Sequence, residues 1–202
     1  MEAILGVPVP DTRNPFAGKG LAVTTALLLG RGRPSTLAQL ATVADVSRPL
    51  VSMVVRKLVQ LELVRGEVKQ GRRARVGAHP DLVHQTALHW PAPVASMQGG
   101  TVPPDVVRGG GALAQEELGV LWDARPRIYV RTLDDARRLI ALAGGAVVSE
   151  PVAEWEIAVV HFPFVPGPVP TLVAALELGR TPRGREVLAG VHDRLFAGWD
   201  GA

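Results

Sequence analysis

Three side chains suited to contacting a nucleic acid recur every four residues in the N-terminal half: Arg48, Ser52 and Arg56. On an α-helix, positions i, i+4 and i+8 lie along one face. An arginine on such a face can make a bidentate contact with guanine, and a serine can reach a base edge or a phosphate. Residues 48–61 contain no Asp or Glu, although solvated helices often place Glu among their cations. We therefore expect a basic contact face, which also includes Pro49, Met53 and Lys57.

The other side of this segment is apolar, with residues at three-to-four spacing that are typical of a helix packed on a core. Ser47 is the expected N-cap, and Pro49 falls in the first turn, where a missing N–H costs nothing. The pattern predicts a helix from 48 to about 61. Its apolar positions are Val51, Val54 or Val55, Leu58 and Leu61.

Two helices are predicted upstream of this one. Thr36 and Gln39 form a capping-box pattern that starts a helix ending near Ala44, and Asp45 and Val46 make the turn that follows. An earlier helix is expected from about 15 to 29, and the Pro-rich residues 1–14 are expected to form an extended arm.

A basic hairpin is predicted next. Residues 63–68 are typical of a strand, 69–71 of a turn and 72–76 of a returning strand. Cations crowded on a short ribbon repel one another unless an anion lies between them. The alternative is a charged edge strand that discourages aggregation. The basic residues are Arg65, Lys69, Arg72, Arg73 and Arg75.

From LAQLATVADVS through RPLVSMVVRKLVQLELV to the basic hairpin, residues 15–76 resemble the winged helix-turn-helix of the MarR, IclR and GntR groups of bacterial regulators. The resemblance implies that helix 47–61 enters the major groove of duplex DNA and that wing 64–76 follows the backbone or minor groove. It implies guanine contacts by Arg48 and Arg56, and a homodimer on two half-sites. The phosphate contacts it implies are Thr36, Ser47, Arg72, Arg73 and Arg75.

Composition sets further bounds. The chain has 202 residues, a net charge of +3 and no cysteine, which excludes disulfides, thiolate zinc sites and a cysteine nucleophile. Residues 1–90 carry 12 Lys/Arg and 6 Asp/Glu, whereas residues 91–202 carry 10 and 13. A basic front half and an acidic rear half favour two modules, with polyanion contact assigned to the first.

The middle of the chain is predicted to connect these modules. A short helix is expected from about 79 to 89 and closes a DNA-binding domain of residues 15–90. The Pro/Gly-rich residues 91–104 are expected to be a linker. His79, His84 and His89 are five residues apart, which spreads them around a helix, so no metal site is predicted.

Residues 105–202 are predicted to form a small α/β domain, which makes the whole chain α+β. Strands are expected at 126–131, in AVVSE and in EWEIAVVHF. Helices are expected at 112–119, from Thr132 to Gly144, from Pro170 to Gly179 and from Thr181 onward. The sheet order cannot be derived from the sequence.

GGGALAQEELG, a strand and DDARRLIALAG loosely resemble the opening of nucleotidyltransferase-fold proteins, including AbiEi/AbiEii-type toxin–antitoxin partners. In active members, paired acidic residues on that strand hold Mg²⁺. Here the strand reads PRIYVR, with Arg127 and Tyr129 where carboxylates are wanted, so the resemblance implies a degenerate, non-catalytic version.

Two other features of this domain could carry chemistry. The glycine triplet 109–111 could admit a phosphate, but a turn or tight packing is the favoured interpretation. Glu154 and Glu156 share one strand face and could serve acid/base chemistry, but no nucleophile or metal partner accompanies them, and an exposed strand face is expected. We expect no enzymatic activity and no cofactor.

The sequence thus favours a cytoplasmic, sequence-specific regulator that binds double-stranded DNA as a homodimer, with a small-molecule or protein effector at the rear domain and no membrane segment. An antitoxin or nucleotidyltransferase-like protein with an appended DNA-binding domain is the first alternative. A structural DNA-binding protein without an effector is the second. The dimer surface is left open among the first helix, residues 80–89 and the C-terminal helix.

Overall fold

A computed structural model describes residues 14–66, 75–102, 107–161, 169–197 and 199, and its fold is α+β with two sheets. The elements of the N-terminal part are α1 Gly18–Leu29, β1 Ser35–Thr36, α2 Leu37–Ala44, α3 Arg48–Gln60, β2 Val64–Gly66, β3 Arg75–Ala78 and α4 Asp81–Leu88. Those that follow are β4 Pro93–Gln98, β5 Val107–Gly109, α5 Gly111–Leu118, β6 Arg127–Val130, α6 Leu133–Ala143, β7 Ala146–Val148, a 3₁₀ turn Glu150–Val152, β8 Trp155–Val159, α7 Val169–Leu178, α8 Pro182–Gly190 and α9 His192–Leu195.

The described residues fall into two compact units. The helical unit contains α1 to α4 with their small sheet, together with α7, α8 and α9. The sheet unit contains β4 to β8 with α5 and α6.

Helix α1 is the core of the helical unit. Nine consecutive residues, from Gly20 to Leu28, are buried, which is the pattern of a helix covered on every side. Helices α2, α3, α4 and α7 and strand β3 all contact it. Gly20 admits the preceding chain, because a Cβ there would lie 1.9 Å from the Asn14 carbonyl oxygen. Two buried hydroxyls are satisfied locally: Thr24 donates to the Pro15 carbonyl and Thr25 to that of Leu21.

Helices α2 and α3 are joined by a three-residue turn. Thr36 and Gln39 form the predicted capping box, and α2 ends at Ala44 as predicted. Asp45 takes a left-handed conformation with φ 53°, and the Val46 N–H bonds back to the Ala41 carbonyl, so the chain reverses sharply into α3.

A small antiparallel sheet lies beside these helices, with strand order β1-β3-β2. Ser35 pairs with Val76 and Val64 with Ala78. The predicted strands 63–68 and 72–76 correspond in part to β2 and β3, whereas the predicted turn 69–71 lies outside the described residues.

The C-terminal helices do not belong to the sheet unit, so the predicted domain 105–202 is wrong at its C-terminal end. Helix α7 packs against α4 and α1, and α8 packs against α7. Residues 172–178 of α7 are all buried, so this helix needs an apolar partner along its length. The single last helix expected from Thr181 is also divided, since α8 ends at Gly190 and α9 begins at His192.

The predicted linker 91–104 is wrong as well, because residues 93–98 form β4. The sheet order is β5-β6-β8-β4-β7, which places β4 between two other strands. Ala95 and Met97 point to one face and are buried, a period-2 pattern that the surrounding prolines and glycines obscure in the sequence. Within the described sheet, β6 and β8 pair in parallel, and the other pairs are antiparallel.

Helix α6 covers one face of this sheet. Its start at the Thr132 capping box and its end at Gly144 are as predicted. The buried cluster beneath it has contributions from β4, β6, α6 and β8, namely Ala95, Met97, Ile128, Val130, Ala136, Leu139, Ala143, Trp155 and Ile157. The Trp155 indole N–H donates to the Gly99 carbonyl at 2.9 Å, so this large ring is buried without an unsatisfied donor.

Shortening one leucine of α1 tests the importance of that helix. Leu27 is 2% exposed, so Leu27→Ala removes buried methyl groups and leaves a cavity, and we expect it to destabilise the helical unit by about 2–5 kcal/mol. Leu88, on α4 in the same unit, is 47% exposed, and Leu88→Ala should cost less than about 1 kcal/mol. Urea denaturation of both variants measures the difference, and equal losses would show that α1 is not the core.

Candidate nucleic-acid interface

The exposed side of α3 is basic and contains no carboxylate. The buried positions are Leu50, Val51, Val54, Val55 and Leu58, which confirms the predicted apolar side except at Leu61. Leu61 is 52% exposed because the helix ends at Gln60 and the chain turns through Glu62 at φ 59°.

The exposed residues of α3 span about half of its circumference. At about 100° per residue, Arg48 and Lys57 lie at the two edges of this arc and Arg56 near its middle. Ser52 is half-buried between Arg48 and Arg56, and Met53 is 44% exposed. The six residues predicted from the sequence for this helix face, Arg48, Pro49, Ser52, Met53, Arg56 and Lys57, therefore lie on one continuous surface.

An open groove runs beside the start of α3. It is lined by α1, α2 and the turn between α2 and α3, and it contains two cations, Lys19 and Arg48, and one carboxylate, Asp45. The hydroxyl residues Thr42 and Ser47 also line it. Cations and hydroxyl donors on a concave surface suit an anion such as a phosphate, although Asp45 offsets part of the positive charge.

Ser47 occupies the N-cap position of α3, but its hydroxyl makes no hydrogen bond to the described first turn. The sequence predicted the position correctly, and the structure leaves the hydroxyl at the groove, where it can donate to an external acceptor.

Thr36 is placed differently. Its hydroxyl donates to Gln39 Oε1 at 2.9 Å and accepts from the Gln39 N–H at 3.2 Å. A phosphate contact through this hydroxyl would require the first bond to break, so the capping box accounts for Thr36.

The predicted wing, residues 64–76, lies only partly within the described residues. Arg75 is exposed on β3, opposite Thr36 of β1, and Arg65 is exposed on β2. Three of the basic residues predicted for this hairpin, Lys69, Arg72 and Arg73, lie outside the described residues.

Two residues of this surface were missed by the sequence analysis. Gln60 is exposed one step further along the four-residue row of Arg48, Ser52 and Arg56, so the same spacing could have found it. A glutamine in that position can bind adenine through its amide. Lys19 has no such local signal, because it comes from α1 and reaches the groove only through the packing of α1 on α2.

The glycine triplet of the sheet unit is explained by packing, as favoured from the sequence. Gly110 has φ 103°, and a Cβ on Gly111 would lie 2.0 Å from the Trp122 carbonyl oxygen. The Gly111 N–H donates to the Ala124 carbonyl at 3.0 Å. The carbonyl oxygens of Trp122, Ala124 and Arg125 therefore occupy the space that a phosphate would need.

Glu156 contradicts the expected exposed strand face. It is 5% exposed, and its Oε2 accepts from Arg127 Nη2 at 2.6 Å and from Arg127 Nε at 3.0 Å. Arg125 Nη1 lies 3.7 Å from Oε1. The parallel pairing of β6 with β8 sets Arg127 directly opposite Glu156, so Arg127 balances the charge of this buried carboxylate. Arg127 is one of the two residues found where active nucleotidyltransferase-fold proteins have carboxylates.

The remaining carboxylates singled out in the sequence have local partners. Glu154 accepts from the Gly99 N–H at 3.1 Å, Asp134 pairs with Arg137 at 2.8 Å, and Asp135 completes the Thr132 capping box. Among the described residues, no three His, Asp or Glu side chains converge on a point that could hold a metal ion. Of the three histidines weighed for such a site, His79 pairs with Asp81 and His89 stacks on Phe16.

None of the helices described combines the length and the apolar character needed to cross a membrane. Comparison with known proteins gives no match to a family model, to a curated protein or to a solved structure.

Removing the charge of Glu156 tests the buried ion pair. Glu156→Gln takes the carboxylate from Arg127, whose side chain is 13% exposed, and we expect a loss of about 3 kcal/mol in the stability of the sheet unit. Glu154→Gln, at the exposed position directly before β8, is the control. Its amide oxygen can still accept from the Gly99 N–H, and it should cost less than about 1 kcal/mol. Urea denaturation compares them, and a Glu156→Gln protein as stable as the control would contradict this interpretation of the pair.

Proposed function

We propose that the chain is a sequence-specific DNA-binding regulator whose helical unit carries a winged helix-turn-helix. The observation that carries the proposal is the acid-free, exposed face of α3, which follows α2 after a three-residue turn and precedes the antiparallel strand pair of β2 and β3. The order α1-β1-α2-α3-β2-β3 and the strand order β1-β3-β2 support this proposal, because both are expected of a winged helix.

The geometry of α3 supports its insertion into the major groove. Its 13 residues correspond to about 20 Å, and a major groove about 12 Å wide admits a helix. The apolar side is buried in the unit, so the basic side faces outward without exposing the core. Arg48 and Arg56 are eight residues apart, about 12 Å along the axis, which separates their contacts by several base pairs.

The surrounding residues suit the phosphate backbone. Ser47, Lys19 and Arg48 lie at the groove beside the start of α3, and Arg75 is exposed on the wing strand β3. In this proposal Ser47, Lys19 and Arg75 contact phosphates and determine affinity and register. Ser52 and Arg56 contact bases and determine sequence preference, and Arg48 contributes to both.

We further propose that the protein binds as a homodimer, since two half-sites multiply the discrimination that one short helix provides. The surface of α1 is not available for that contact over Gly20–Leu28, because those residues are buried within the unit. Among the three surfaces considered from the sequence, α4 and the C-terminal helices retain exposed positions, such as Leu88 and Arg194.

Selection from a random pool of duplexes, followed by binding titrations, tests the recognition helix. Arg56→Ala removes a side chain near the centre of the exposed arc, and we expect a loss of about 1–3 kcal/mol on the selected duplex with little change on random DNA. Arg138→Ala, on the exposed side of α6, is the control and should leave both affinities unchanged. If Arg56→Ala weakened binding to the selected and random duplexes equally, α3 would not determine the sequence preference.

The wing is tested by the dependence on salt. Arg75→Ala should weaken binding to selected and random duplexes alike and lower the slope of log K against log salt by about 1, because one phosphate contact is lost. Titrations at several salt concentrations measure the slope. A loss restricted to the selected duplex would instead make Arg75 a base contact.

A further inference from the structure

A cluster of four aromatic side chains attaches the end of the chain to the helical unit. His84 of α4 lies parallel to His192 of α9, with ring centroids 6.3 Å apart and ring planes 6° from parallel. Phe196 is tilted against both imidazoles, at 6.3 Å from His84 and 4.5 Å from His192. Trp199 meets Phe196 edge to face at 4.9 Å. We call residues His192, Leu195, Phe196 and Trp199 the C-terminal strap.

The strap forms one wall of an apolar crevice. Leu195 and Trp199 line it from the strap, and Leu28, Val83 and Leu172 line it from α1, α4 and α7. The space within it is only ≈ 20 Å³, about enough for one water molecule. Because Leu28 and Val83 are almost fully buried, displacement of the strap exposes part of the core of the unit.

The two imidazoles control how firmly the strap is held. While both are neutral, they pack as aromatic rings. If both are protonated, two positive charges lie on rings whose centroids are 6.3 Å apart, one on α4 and one on α9. Their repulsion disfavours the docked state.

Charged groups lie on α4 and α9 and on the described elements that pack against them. Asp81 on α4 favours a protonated His84, and the Asp193 carboxylate on α9 lies 3.4 Å from His192 Nδ1. Arg31 lines the crevice and Arg194 lies on α9. Helices α1 and α7, which pack against α4, each carry one charged residue, Lys19 and Glu177. Helix α8, which packs against α9, carries Arg183, Arg185 and Glu186.

We propose that His84 and His192 form a pH-sensitive latch, in which protonation of the pair releases the C-terminal strap from α4 and opens the apolar crevice. The cluster spans two elements that are distant in sequence, and both imidazoles lie in the contact itself. This device does not depend on nucleic-acid binding.

The direction follows from His84. Its pKa is lowered below the usual 6.5, first by burial and further by the charge of His192, while Asp81 opposes the shift. The docked state therefore takes up fewer protons than the released state, in which His84 titrates near its usual value. The stability of the docked strap is fully present above pH 6.5 and is lost as the pH falls from 6.5 toward the lowered pKa.

Hydrogen exchange of the C-terminal peptide in the full-length chain tests the latch. After correction for intrinsic exchange rates, amide protection in residues 192–197 should fall by roughly tenfold between about pH 8 and about pH 5, because opening is coupled to proton uptake. Protection of α1 should change little over the same range. His192→Gln is the main variant, since the His192 side chain is 45% exposed and glutamine can be accommodated there.

We expect His84→Gln to remove most of the pH dependence and His192→Gln to reduce it, because the burial of His84 persists in the second variant. His89→Gln, which changes an exposed histidine directly after α4, should retain the full pH dependence. Proton NMR of the His84 ring adds a second measurement, in which His192→Gln raises the pKa of His84 toward its usual value. An identical loss of protection in all four proteins, a loss that includes α1, or no loss in the wild type would overturn the proposal.

Discussion

The complete burial of α1 is the constraint on which the helical unit depends. Nine consecutive buried residues need partners on every side of the helix, and the chain supplies them from α2, α3 and β3 on the N-terminal side of the sequence and from α4 and α7 further along. This requirement draws the C-terminal helices back to the N-terminal domain. The burial of α1 also sets the orientation of α3, because the apolar side of α3 packs against α1 and its polar side remains exposed.

The residues of the proposed DNA-binding surface are positioned in two different ways. Arg48, Ser52 and Arg56 belong to one rigid helix, so their relative positions are set by helical geometry alone. Lys19 joins the surface from α1, and its position depends on how α1 packs against α2. A change in the packing of α1 on α2 would therefore move Lys19 relative to the row of Arg48, Ser52 and Arg56.

The sheet unit shows how residues that suggest chemistry can serve structure. The glycine triplet allows residues 122–125 to pack on the start of α5, and Glu156 is buried because Arg127 stands opposite it in the parallel pair of β6 and β8. A buried ion pair of this kind contributes little net stability but is costly to break. The helix start at Asp134 and Asp135 is likewise explained by a salt bridge and a capping box.

The sequence by itself determined the local elements, because capping boxes, prolines and apolar periodicity act within a few residues. The starts of α2 and α6, the three-residue turn before α3 and the two sides of α3 follow from Thr36, Thr132, Ser47 and the valine–leucine spacing. Only the tertiary structure decided which elements share a core. It assigned residues 93–98 to the middle of a sheet, α7 to the helical unit, and Arg127 to Glu156. These outcomes depend on contacts between residues far apart in the chain. The apolar pattern of one segment predicts that the segment is buried, but it does not predict which other segment packs against it.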